Sequence, residues 1–206
     1  MIALTPALLS LALTAAPEWK KVDETDGVVT ESRPVEGSGF VELRLTTTTT
    51  RTVDSLCDAA YGDGKFDPEE PDLKSRKILS EGPDERVTYD QISPPLVANR
   101  DYAVRATRKH FPDGSCVTDF KAANELAPEV PKGWVRVAKV AGEWRFEPIA
   151  TGKDAGKTRV TYVVFSDPGG SVPPFLAEGS RRKFALRWIK MILSRGKDAT
   201  PDAGTP

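Results

Sequence analysis

The sequence contains a single histidine, His110. That excludes any mechanism needing two, such as zinc hydrolysis from an H-E-x-x-H helix. Cysteine is nearly as scarce. Cys57 and Cys116 are too few for a disulfide framework, and the absence of a C-x-x-C pair argues against zinc or dithiol redox work. Charge of either sign is not in excess either: 29 basic and 30 acidic side chains leave a formal −1 and a pI near 6.0. The basic surplus of a nucleic-acid binder, whose affinity rests on phosphate neutralisation, is missing. No metal, no cofactor and no nucleic-acid partner is therefore expected. What remains is a chain of 206 residues, 39% hydrophobic, with room for one domain and one sizeable core.

Residues 2–16 form an uncharged apolar run, short of the roughly 20 residues a membrane span needs. The run ends in Ala15-Ala16, as a secretory signal does, although no Lys or Arg precedes it and Pro17 follows the expected cut. It is read as a signal peptide over residues 1–16, with a buried or anchoring helix as the alternative. Export makes the mature domain, residues 17–196, periplasmic or secreted. The tail at 197–206 is rich in small residues and is expected to be disordered.

Beyond Pro17 the pattern is mostly that of strands. Val28–Arg33 and Phe40–Leu45 flank a Gly37-Ser38-Gly39 turn, and Val41, Leu43 and Leu45 alternate with polar neighbours. Thr52 is placed as the N-cap of a short helix carrying Val53, Leu56, Cys57 and Ala60, and Gly62 ends it. Strands are predicted at 74–80, 85–92, 101–110, 116–124, 134–140, 143–148 and 157–166, with a tight hairpin at Ala141-Gly142. The last long element is a helix over 173–194, whose Phe184, Trp188 and Ile192 share one face and Lys183, Arg187 and Lys190 another. A long antiparallel meander must cover its apolar face, and this helix is the one large element left to do so. A curved sheet around one helix leaves a space between them, so the pattern already describes a container.

Individual motifs carry little chemistry. Gly152 to Thr158 imitates a phosphate loop, but the glycine spacing is short by one and the segment joins strand to strand, so it reads as a polar turn. Asp63, Asp67, Glu69 and Glu70 lack the EF-hand order and read as a solvated acidic loop. His110 closes a strand with no evident nucleophile beside it. Residues 179–197 hold seven basic side chains and no acid. That is either the wet face of a covering helix or a membrane-docking face, each charge contributing about 1 kcal/mol near anionic lipid.

Four stretches in order resemble the START domains, the lipid-transfer family related to steroidogenic acute regulatory protein. They are Arg33-Pro34-Val35-Glu36-Gly37-Ser38; Ser93-Pro94-Pro95 through Asn99-Arg100-Asp101-Tyr102; Gly142-Glu143-Trp144-Arg145-Phe146-Glu147-Pro148; and Thr158-Arg159-Val160-Thr161-Tyr162 with Asp167-Pro168-Gly169-Gly170-Ser171-Val172-Pro173. The pattern is closest to members like the phosphatidylcholine transfer protein. The resemblance implies an α+β helix-grip fold: a curved antiparallel sheet wrapped around a long C-terminal helix, enclosing a hydrophobic cavity for one lipid-like molecule, without catalysis. It also implies a buried acid at Asp90. The arginine that would accompany it falls at Ala106, with Arg105 pointing to the other face, so the acid is expected to lack its partner.

Strand alternation then assigns the cavity wall to Thr88, Asp90, Ile92, Tyr102, Val104, Ala106, Trp144, Phe146, Val160, Tyr162 and Val164. Phe184, Trp188 and Ile192 close it from the helix, and Lys183, Arg187 and Lys190 face an anionic membrane surface. The expected partner is a lipid or sterol-like molecule, bound by a monomer. Two rival readings are a cyclase or aromatase on the same scaffold, using Asp90, His110 or Tyr162 as acid or base, and a membrane-docking sensor or adaptor.

Overall fold

The computed structural model describes residues 17–198 other than Leu96 and Ser171, with backbone alone at 174–176. Strands β1 (Lys20–Thr25), β2 (Val28–Pro34) and β3 (Val41–Thr49) precede helix α1 (Val53–Tyr61). Strands β4 (Leu73–Glu81), β5 (Glu85–Ile92), β6 (Arg100–His110), β7 (Cys116–Ala122), β8 (Val135–Arg136), β9 (Lys139–Pro148) and β10 (Thr158–Asp167) follow, and helix α2 (Pro174–Arg195) comes last. They form one ten-stranded sheet in the order β1-β2-β3-β10-β9-β7-β6-β5-β4, with β8 added to β6 off that path. Every pairing is antiparallel except the two-residue β6–β8 contact. This is the helix-grip arrangement expected of the sequence.

The core lies where α1 and α2 meet the middle of the sheet. Leu43, Leu45, Phe146, Val160, Trp144 and Tyr162 pack from the strands, Leu56 and Cys57 from α1, and Ala185, Ile189 and Ile192 from α2. Covering the sheet is therefore shared: α1, short as it is, buries Leu56 and Cys57 completely. Its ends explain its place. Thr52 accepts a hydrogen bond from the Ser55 amide at the N-terminus. At the C-terminus, Arg86 donates to the carbonyls of Tyr61 and Gly62, where the helix dipole is negative.

Several local expectations are corrected. The edge strand β1 had no visible signature, because Lys20–Thr25 is polar apart from Val22 and carries a bulge between Lys21 and Asp23. The strand expected over 134–140 is broken: Val135–Arg136 pairs with β6, and a separate strand starts at Lys139. No hairpin forms at Ala141-Gly142, since β9 runs straight through both. Glycine is needed there for room. A Cβ on Gly142 would strike the Val163 carbonyl and lie 2.6 Å from the Phe120 ring. Cys57 and Cys116 are joined in a disulfide that ties α1 to β7 across a Cα–Cα distance of 6.2 Å. The start of the expected disordered tail is also anchored: the Lys197 carbonyl accepts from the Thr52 amide at 2.9 Å, and Asp198 pairs with Arg51 at 2.5 Å. The runs 1–16 and 199–206 lie outside the described residues.

The acidic loop between α1 and β4 is not left wholly to solvent. Asp67 and Glu69 face Arg195, Asp72 bonds Arg187 at 2.9 Å, and Glu70 bonds Arg76 at 2.7 Å. Opposite charge on α2 draws this segment across the molecule as a strap. The reading of a solvated loop holds for Asp63 and Glu69, which are largely exposed, but not for Asp67, whose counter-charge lies far downstream on α2, or for Glu70, which is paired with Arg76.

Candidate functional site

Residues directly opposite on antiparallel strands project to the same side, so the pairing registers define the concave face. Val160 pairs with Phe146, which pairs with Cys116; Tyr162 pairs with Trp144, which pairs with Thr118; Val164 pairs with Gly142, which pairs with Phe120, which pairs with Ala106. Val104 pairs with Thr88, Tyr102 with Asp90 and Arg100 with Ile92. All eleven wall positions named from the sequence thus fall on one face of the sheet, the face that receives Ile189 and Ile192.

That face has two poles. Near β9 and β10 the Trp144 and Tyr162 rings stack with centroids 3.8 Å apart, Trp144 stacks on Phe146, and Phe120 leans on Tyr162. Near β4 to β6 it is polar. Arg76 Nε donates to Asp90 Oδ1 at 2.8 Å and Nη2 to Oδ2 at 2.7 Å, a two-point grip, while Nη1 donates to Glu70 Oε1 at 2.7 Å. Asp90 is 1% exposed. So Asp90 does have a guanidinium partner, supplied by the neighbouring strand β4 and not by the Ala106 position. Burial works against the charge on Arg76, but the hydrogen bonds and charges of Asp90 and Glu70 outweigh it and hold the side chain firmly protonated. Burial likewise raises the pKa of Glu70, opposed by Arg76. The Tyr102 and Tyr162 phenols are pushed up by burial, Tyr102 also by the Asp90 charge, so both stay neutral.

Along β6 the inward side chains Tyr102, Val104 and Ala106 are each only half-buried, although they sit in mid-sheet on the face that the helices cover. Val164 on β10 is the same. Side chains in the middle of a packed sheet normally lose nearly all their exposure, so partial exposure there means that the helices do not cover this stretch of the face closely. Two surface clefts, of about 470 and 560 Å³, lie elsewhere. One is on the outer face around Trp19, Arg33 and Arg44, and the other is beside α1 around Thr52, Asp54 and Lys197.

On α2 the seat is made by Ala185, Ile189 and Ile192, all at most 1% exposed. Phe184 and Trp188, expected to form that seat, are half-buried on its flank with rings edge-on at 6.3 Å. Lys183 is exposed. Arg187 and Lys190 are not unengaged cations: they bond Asp72 at 2.9 Å and Asp26 at 2.6 Å.

His110 is far from the polar pole, on the order of 25 Å from Tyr102 along the extended strand. Its imidazole is half-exposed, with Nδ1 3.8 Å from Asp54 and Nε2 4.0 Å from the sulfur of Cys116. With Cys57 and Cys116 it makes a compact group of potential metal ligands, but the two sulfurs are committed to each other in the disulfide.

The curved sheet and the helix gripped by it match those of known proteins. The family model for the START domain matches residues 1–200. The chain belongs to the START domain family. An uncharacterized protein of Pseudomonas aeruginosa is 34% identical over 199 residues, spanning 94% of this chain and 95% of that one. Among solved structures, the STAR-related lipid transfer protein of Xanthomonas axonopodis superposes with a TM-score of 0.74 at 26% identity, covering 85% of this chain and 97% of its own. Human StAR-related lipid transfer protein 5 superposes with a TM-score of 0.73 at 18% identity, covering 86% of each chain, and shares the fold.

Within this START domain, two site residues escaped the sequence reading. Arg76 could have been found: it lies two positions from the inward Ile78, on the strand beside Asp90. Glu70 could not, because it sits in a loop whose path depends on Arg76 and α2.

Proposed function

We propose that this START domain binds one lipid or other hydrophobic molecule, of the sterol or phospholipid class, between its concave sheet face and α2, and carries it between membranes without altering it. The observation that carries the reading is the lining: half-exposed apolar and phenolic side chains in mid-sheet, with an aromatic pole at one end and a charged, hydrogen-bonded pole at the other. Apolar surface leaving water supplies roughly 25 cal/mol per Å², and a few polar groups set orientation. Membership of a family whose solved relative from Xanthomonas is titled a lipid transfer protein supports the same class of ligand.

A cyclase-type enzyme would need an acid or base at the cavity. Of the groups named for that role, Asp90 has both oxygens taken by Arg76 and His110 sits at the far strand end. Those placements favour carriage over catalysis. The protein is further proposed to act as an exported monomer, periplasmic or secreted, with Lys183 and, when released from Asp72 and Asp26, Arg187 and Lys190 meeting anionic headgroups. The sensor reading shares this docking face, but the open lining favours a cargo.

Native mass spectrometry and organic extraction of protein purified from its source should reveal one bound lipid per chain. Vesicle assays should then show transfer that slows when Lys183, Arg187 and Lys190 are reversed in charge, most clearly at low salt. Protein that carries no lipid and moves none between vesicles overturns the reading.

A further inference from the structure

We propose that Cys57, Cys116 and His110, in the chain whose disulfide has been reduced, form a binding site for a thiophilic divalent cation of the zinc class. The site lies at the opposite end of β6 from Tyr102 and the polar pole, and it does not depend on the ligand reading of the concave face. It gives the sole histidine a role, and it offers α1 a second way of being tied to the sheet.

The chain has two cysteines and one histidine in 206 residues, and the fold brings all three to one point. The sulfurs of Cys57 and Cys116 and a ring nitrogen of His110 lie within 4.8 Å of one another. They come from three elements: Cys57 from α1, His110 from the end of β6 and Cys116 from the start of β7. His110 and Cys116 are cross-strand partners and so project to the same side of the sheet. Helix α1 lays Cys57 against them, seated by the fully buried Leu56. Because the donors are drawn from separate elements, no C-x-x-C spacing announces them.

Two thiolates and an imidazole, with water in the fourth position, are a donor set that zinc takes. Bonds of about 2.3 Å to sulfur and about 2.0 Å to nitrogen at the tetrahedral angle put the sulfurs about 3.8 Å apart and each about 3.5 Å from the nitrogen. His110 Nε2 already lies 4.0 Å from the Cys116 sulfur. Parting the two sulfurs needs only rotation about their Cα–Cβ bonds across the Cα–Cα distance of 6.2 Å. Nδ1 points the other way, 3.8 Å from the exposed carboxylate of Asp54, and a carboxylate behind the ring is the usual means of orienting a metal-bound histidine. The ring is half-exposed while both cysteines are fully buried, so the ion has an entry on the histidine side and is shielded on the other. In the reduction, a thiol reductant passes two electrons and two protons to the disulfide and leaves as its own disulfide. The cation then displaces both thiol protons to solvent as the two metal–sulfur bonds form.

The test takes the full-length protein, reduces it with a phosphine, removes the phosphine under argon and titrates with Co²⁺ and then Zn²⁺. Reduced wild type should bind a single cobalt ion with a sulfur-to-cobalt charge-transfer band, lose the band as zinc displaces the cobalt, and melt at a higher temperature with zinc than without. The oxidised protein should do none of these. If reduction alone loosens α1, zinc should restore the far-ultraviolet signal, and failure to restore it counts against the site. His110→Ala removes a half-exposed ring and should leave the fold in place. It should weaken zinc binding by more than the roughly 10–100-fold lost with a residue that only orients a ligand. Cys57→Ser with Cys116→Ser should abolish the band. Absence of the charge-transfer band in reduced wild type overturns the inference. So does equal zinc affinity in wild type and His110→Ala, which would leave the ring outside the site. Equal zinc stabilisation of the oxidised protein also overturns it, by placing the ion on surface carboxylates.

Discussion

At the scale of single residues, the energetics of the polar pole centre on Arg76. Removing one member of a buried ion pair leaves the other uncompensated, which typically costs about 3–5 kcal/mol. Asp90→Leu should therefore destabilise the domain by that order in urea unfolding, Glu70 supplying only partial relief to Arg76. Replacing the whole set, Asp90→Leu with Arg76→Met and Glu70→Gln, should recover much of the loss, since Glu70 also depends on Arg76, and a triple variant no more stable than the single one would refute the pairing. Glu70 has a separate signature in pH. Burial raises its pKa from the ordinary 4.5, against the pull of Arg76 and with Asp90 and Asp67 nearby. The folded state thus holds the proton more tightly than the unfolded chain, and stability falls as pH rises from about 4.5 through the raised folded value. Glu70→Gln removes that contribution, so the stability of the variant relative to wild type should climb with pH across this window and level off above it. Asp90 was legible as a buried acid because the motif before Tyr102 and the alternation of β5 both pointed to it. Its partner was sought six places after Arg100, along β6, whereas the fold supplies it laterally from β4, a relation that depends on strand pairing and not on spacing.

Among the elements, α2 shows how far periodicity reaches. The helix was evident from its length and amphipathic face, and Ile192 was rightly put on the seat, but the other two residues given for it lie one position from the true ones. Aromatic size drew attention to Phe184 and Trp188, while the side chains fully lost from water are Ala185, Ile189 and Ile192. Ile189→Ala should accordingly cost about 2–5 kcal/mol in chemical denaturation, and Trp188→Ala less, since its ring is half-exposed already. The reverse order would return the seat to the tryptophan. In β9 the glycine at 142 was taken for a turn because glycine usually marks one; here it admits the Phe120 ring to the concave face. Gly142→Ala should lower the melting temperature and shift the near-ultraviolet signal of the neighbouring aromatics. Strands with alternating apolar residues, such as β3 and β10, were readable to within a few residues. The polar edge strand β1 was not, because an edge facing solvent on both sides needs no apolar alternation.

For the molecule as a whole, the architecture was legible and its fastenings were not. The meander followed by a long helix, together with the four motifs in order, led to the gripping fold. The disulfide, the strap and the anchored start of the tail are all contacts between distant segments, which local pattern does not encode. The Cys57–Cys116 bond closes a loop of 59 residues, for which chain-entropy reasoning gives at most about 4 kcal/mol. Reduction, or Cys57→Ser with Cys116→Ser, should lower the melting temperature measurably without abolishing the fold, and an unchanged melting curve would make the bond energetically idle. The position of β10 matters in another way. The last strand of the chain lies between β3 and β9, and Thr158 donates to the Arg51 carbonyl over a span of 107 residues. The unit β1-β2-β3 therefore joins the rest of the sheet only through β10, and closing so long a loop costs entropy before any ladder bond repays it. A chain emerging from a ribosome is therefore expected to carry an unpaired β3 edge, and to need that edge kept soluble, until β10 has been made.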